Sequence, residues 1–155
     1  LLHFSPRRQD GVELLGEAIA INPANMKARS LLASLAIADR NVPGAEKILA
    51  DAGAAVETSA DMLSLRGEIN LRRAAALIGA GTAGWEGFLT LARDSYRRAL
   101  ALDPDHAQSL SGVARTWLVT PGKPPDDVLA LIERAELLLP MNLEIELIAA
   151  HTRLK

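Results

Sequence analysis

The sequence predicts an all-α fold of about eight helices paired into antiparallel hairpins, and three observations carry that prediction. Hydrophobic residues make up 49% of the chain but aromatics only 3%, so the core must be built from Ala, Leu, Ile and Val, a composition that favours helix over sheet. No segment alternates apolar and polar residues in the manner of a half-buried strand. Prolines punctuate the chain after amphipathic stretches, at Pro23, Pro104 and Pro140, and the residues before them repeat in kind.

The elements follow in order. Leu1 to Phe4 is too short to classify. Ser5-Pro6 is a helix start, because Ser can cap and Pro fits the first turn. Val12, Leu15, Ala18 and Ile19 then share a face, and Asn22-Pro23 ends the helix. A second helix is expected over about 25–39, before the break Asn41-Val-Pro-Gly44. A third covers about 45–52, with Gly53 as its stop. Thr58-Ser59-Ala-Asp61 caps a fourth over about 61–78, and a fifth runs 85–102 to Asp103-Pro104. The sixth spans 106–119, the seventh 126–139 and the last 141–155. Short connections of this kind join helices that pack as neighbours.

The charge balance narrows the function. The net charge is −2, with 9 basic and 9 acidic residues in 1–77 and 8 and 10 in 78–155. No clustered basic face exists for phosphates, so nucleic acid is not the expected partner. The chain has no cysteine, which fits the cytosol and is equally compatible with the periplasm. No apolar run approaches the length of a membrane span. The start at Leu1, without Met or a signal pattern, reads as a piece of a larger or processed, bacterial-type protein.

Aligning the prolines exposes a period. Ala18, Ala99 and Ala135 each lie five residues before a proline, and the large residues Leu15, Tyr96 and Ile132 lie eight before. Ala33 and Gly67 are 34 residues apart. The run Ala92-x3-Tyr96-x2-Ala99-x4-Pro104 resembles the second-helix signature of the tetratricopeptide repeat (TPR) family, and Leu65-Arg66-Gly67 resembles the small residue of its first helix. The resemblance implies a right-handed superhelical array of antiparallel hairpins occupying 1–155 as a single domain. It divides the chain into a half repeat at 6–25, repeats near 26–59, 60–106 and 107–140, and a closing helix at 141–155. The chain departs from the pattern in places. The 60–106 unit carries 13 extra residues, Asn70 stands where an aromatic is expected, and Glu57 stands in place of a proline.

Candidate chemistry is sparse. Gly79-Ala-Gly-Thr-Ala-Gly84 matches G-x-G-x-x-G, yet a dinucleotide site needs that string between a strand and a helix. A small-residue hairpin tip is the expected role, and a small nucleotide-binding enzyme is the weakest alternative. Within the 13 extra residues, Ile78, Trp85 and Phe88 can pack together at lengthened helices, or Trp85 can anchor a partner. His3, His106 and His151 are too scattered for a zinc site, and His106 reads as a solvated turn residue. The acidic pairs Asp103/Asp105 and Asp126/Asp127 fit capping and dipole roles. The doublets Arg7-Arg8, Arg72-Arg73 and Arg97-Arg98 read as solvated, one member of each reaching a carboxylate. No catalytic, metal or cofactor site is expected.

The family resemblance implies that the first helix of each hairpin lines a groove that holds a peptide or a partner helix. Carried over by register, the lining residues are Lys27, Ser30, Ser34, Ile37, Asp61, Ser64, Glu68, Leu71, Gln108, Ser111, Arg115 and Leu118. Ser30 and Ser34 occupy the places where some members carry a carboxylate-gripping Lys and Asn, so that clamp is not expected. The reading is a non-enzymatic scaffold for a protein or peptide partner. A regulatory or substrate-docking segment of a larger enzyme is the alternative. Uncapped array ends would leave apolar surface open to self-association.

Overall fold

The computed structural model describes residues 6–120 and 122–154, which form eight α-helices, one 3₁₀ segment and no strand. The helices are α1 Pro6–Ile21, α2 Met26–Ala38, α3 Val42–Ala52, α4 Ala60–Gly79, α5 Trp85–Leu102, α6 Ala107–Thr116, α7 Asp126–Leu138 and α8 Leu143–Arg153. The fold is an all-α, TPR-like array: α2 pairs with α3, α4 with α5 and α6 with α7, while α2, α4, α6 and α8 pack in succession along one side. The Ser5 cap and His3 lie outside the described residues.

Local chemistry sets the boundaries. Asn25, Asn41, Ser59 and Asn142 each accept a hydrogen bond from the backbone N–H three residues on, satisfying a donor that the first helical turn leaves free. The Asn41 cap and Pro43 in the first turn start α3 at Val42, three residues earlier than its apolar stripe suggests. Helix α6 stops at Thr116, before the expected Val119. There Arg93 donates to the Thr116 carbonyl at 3.2 Å and to its hydroxyl at 3.2 Å, and packs 4.4 Å over the Trp117 ring. Between α3 and α4, Gly53–Thr58 forms the 3₁₀ segment, pinned by buried Val56. Glu57, which replaces the expected proline, holds this segment by accepting from Arg66 at 2.8 Å and by pairing with Arg98.

The extra length of the 60–106 stretch is helix: α4 has 20 residues and α5 has 18. The glycine-rich string joining them is preceded by α4, so the strand that a dinucleotide fingerprint requires is missing and that reading is overturned. The string instead closes α4. Gly81, at φ +64°, lets its N–H reach the Ile78 carbonyl and the Thr82 N–H reach the Leu77 carbonyl, a Schellman stop. The same pair of bonds ends α2, from Arg40 N–H to Ile37 and from Asn41 N–H to Ala36, but there the left-handed residue is Arg40, at φ +60°.

Helix α5 organises the core. Ala92, Tyr96 and Leu100 belong to one buried cluster with residues of α6, α7 and α8, while Ala99 belongs to a second with residues of α2, α3 and α4. The Tyr96 ring is wholly buried between two glycines, Gly67 of α4 and Gly112 of α6. A Cβ on Gly67 would meet the ring at 2.6 Å and one on Gly112 at 2.3 Å. The pattern of Ala92, Tyr96 and Ala99 lies along α5 itself, whereas the small residues that meet the ring are Gly67 and Gly112, which brings three helices onto one side chain.

The arginine doublets are more engaged than their solvated reading allowed. Both members of two doublets are paired: Arg72 with Glu68, Arg73 with Glu46 of α3, Arg97 with Asp127 of α7, and Arg98 with Glu57. Arg8 reaches Asp39, the C-cap residue of α2, at 2.6 Å. Such surface bridges are individually weak; Arg72–Glu68 lies within α4, and the others tie one element to another.

Candidate functional site: a groove across three first helices

The first helices present their N-terminal turns in a row. Lys27 of α2 donates to Asp61 of α4 at 3.2 Å, and the other Asp61 oxygen lies 3.1 Å from Nε2 of His106, the N-cap residue of α6. Nδ1 of His106 is 2.9 Å from the Ser109 hydroxyl. His106 is therefore not the solvated turn residue that the sequence suggested: its side chain is 12% exposed and bridges two helices. Burial raises the Asp61 carboxyl, but hydrogen bonds from His106 and Lys27 and their charge outweigh it and hold the group below its ordinary value.

Further along the helices, Glu68 of α4 faces Arg115 of α6 at 2.6 Å and accepts from Arg72 at 2.8 Å. The Tyr96 hydroxyl lies 3.4 Å from the same carboxylate. Burial pushes the Glu68 carboxyl up, but the charge and hydrogen bond of Arg115, with a second bond from Arg72, more than offset it, so the group sits below its ordinary value. Burial, and then the negative Glu68, push the Tyr96 phenol far up, so it stays neutral. Arg115 is held above its ordinary value; burial opposes its charge, but Glu68 prevails.

The Glu68, Tyr96 and Arg115 side chains wall a pocket of about 220 Å³, lined also by Ser34, Ile37, Ser64, Leu65 and Gln108. Six of the twelve register-derived residues thus meet in one place, and Leu65 and Tyr96 join them. Lys27 and Asp61 form the adjoining clasp. Ser30 is 4% exposed and donates to the Lys27 carbonyl of its own helix, so it offers the groove almost no surface. Leu71 packs against the Tyr96 cluster, Ser111 is half-buried in α6, and Leu118 lies beyond the end of α6; none of the three lines the pocket. Trp85 is half-buried at the first position of α5, and one turn on the Arg73 guanidinium sits 5.6 Å over the Phe88 ring.

Residues 7–69 match the family model described as tetratricopeptide repeat. Over that stretch the chain is similar to the TPR family. The match spans most of α1 and all of α2 and α3, and it ends inside α4 just beyond Gly67. A crystal structure of MamA is similar over 98% of this chain and 95% of that one, at 13% sequence identity and a TM-score of 0.48. No curated protein sequence matches the chain. No described helix is long and apolar enough to cross a membrane.

Proposed function

We propose that this chain is a non-catalytic interaction scaffold that holds a peptide or a partner helix across α2, α4 and α6. The pocket between those helices supports the reading most strongly. Its walls combine apolar Ile37 and Leu65 with hydroxyls, an amide and an ion pair, a mixture that suits one inserted side chain flanked by backbone. Ser34, Ser64 and Gln108 supply donors and acceptors for that backbone. Glu68 and Arg115 pair with one another, so an apolar ligand side chain can enter without leaving either charge unpaired.

Reversing Glu68 or Arg115 singly is a poor test, because each reversal sets two like charges together at a half-buried site and lowers stability as well as binding. Filling the pocket is cleaner. Ser34 is half-buried, and its hydroxyl bonds only the Ser30 carbonyl of its own helix. With peptides selected from a random display library on the wild-type chain, Ser34→Trp should weaken binding at least about tenfold by fluorescence anisotropy, equivalent to about 1.4 kcal/mol. Unchanged affinity for every selected peptide would rule out this pocket as the recognition site.

A further inference from the structure

Helix α8 is apolar on two opposite faces. Ile145, Ile148, Ala149 and Thr152 are buried against the array. On the reverse face, Leu143, Leu147, Ala150 and Leu154 are exposed, with Leu143 at 67%, Leu147 at 62% and Leu154 at 87%. Their spacing of four, three and four residues keeps them on one narrow stripe along the helix, the pattern of a coiled-coil seam. A helix with two apolar stripes is built to be covered twice.

The charges beside the stripe identify what covers it. Glu146 and Arg153, seven residues apart, flank one side, and Glu144 and His151, also seven apart, flank the other. The acidic members lie in the first turn and the basic members in the last. When two copies of α8 run antiparallel about a two-fold axis near residues 148 and 149, the four stripe residues meet in the pairs 143–154 and 147–150. The same operation brings Glu146 of each copy to Arg153 of the other, and Glu144 to His151. A parallel pairing would instead set Glu against Glu. The face is thus complementary to itself in the sense an isologous interface requires.

We propose that the exposed face of α8 pairs two copies of this chain into an antiparallel, two-fold dimer. The Glu136 carboxylate of α7, which Arg153 also reaches at 2.6 Å, sits at the rim and orients that guanidinium. The dimer leaves the α2–α4–α6 pocket open in both copies, because α8 turns its other face to the array. The contact is confined to one short helix, so the dimer is expected to be weak and concentration-dependent.

Sedimentation velocity on the 155-residue chain across a micromolar concentration series tests this directly. A monomer–dimer equilibrium is expected. Leu147→Glu replaces a solvent-exposed side chain at the seam; it should keep its helical circular dichroism and weaken the dimer at least about tenfold. Glu146→Arg should weaken it, and the double variant Glu146→Arg/Arg153→Glu should recover part of the loss. A wild-type chain that remains monomeric throughout the series would overturn the proposal. So would an oligomer larger than two, or a dimer unaffected by Leu147→Glu. A monomeric result would leave a further segment or another protein as the cover of this face.

Discussion

Adding one methyl group at Gly112 should damage this protein more than its size suggests. In isolation, Gly→Ala in a helix stabilises by about 1 kcal/mol, because Ala loses less backbone freedom on folding. At Gly112 the new Cβ would lie 2.3 Å from both Cε1 and Cζ of Tyr96, far inside carbon–carbon contact. The ring has little room to move: Tyr96 is fully buried, and Gly67 also closes on it, with a corresponding approach of 2.6 Å. Relief therefore requires α6 to move away from α5. Overpacking of this kind costs about 1–3 kcal/mol. The clash is severe enough to place Gly112→Ala at the upper end, so the net loss should be about 2 kcal/mol after the helical gain. Gly16, in α1, supplies the control, since a Cβ there meets nothing within 4 Å. Gly16→Ala should gain about 1 kcal/mol. In thermal melts of a chain this size, the two variants should move Tm in opposite directions, down by about 4–8 °C and up by about 2–4 °C. Combining Gly112→Ala with Tyr96→Leu should recover part of the loss, because the two sites share one contact. If Gly112→Ala melts at or above the wild-type temperature, the three-helix packing on Tyr96 is wrong.

Two other outcomes are expected. Arg40→Gly should stabilise by about 0.5–1 kcal/mol in urea unfolding, since Arg40 holds a left-handed conformation at φ +60° that glycine adopts without strain; no gain would mean that α2 does not end in that turn. For Glu68, the folded carboxyl lies below its ordinary value of 4.5. Its contribution is therefore complete above that pH and is lost as pH falls through the lower folded value. The stability difference between wild type and Glu68→Gln should be largest near neutrality and shrink on acidification below pH 4.5, and a difference independent of pH would remove the Glu68–Arg115 pair from the account.

The helices were legible because each is marked by local chemistry: Asn25, Ser59 and the prolines act on their nearest neighbours, and those effects appear in sequence. Tyr96 was legible as packing because its small companions Ala92 and Ala99 lie on its own helix. Gly112 was not singled out. It falls two residues short of Ala114, the position that follows Gly67 in the repeat register, and its partner ring is on another helix. The available signal was a glycine in the middle of a helix, which costs stability and so implies a packing reason. His106 was misread for a related cause: its carboxylate partner Asp61 is 45 residues away and only the stacking of α4 on α6 unites them. Ser30 was placed in the groove by register alone, whereas a helical serine hydroxyl can satisfy itself on its own backbone, as this one does. The α8 seam could be seen as a spacing pattern, but which of its two apolar faces would remain open depends on α6 and α7.

The most direct test of the scaffold reading is a backbone amide NMR titration of the chain with a display-selected peptide. The account predicts that the largest shifts fall on the pocket-lining residues Ser34, Ile37, Ser64, Leu65, Glu68, Gln108 and Arg115 of α2, α4 and α6. Shifts concentrated on α3, α5 and α7, with these residues unmoved, would contradict it.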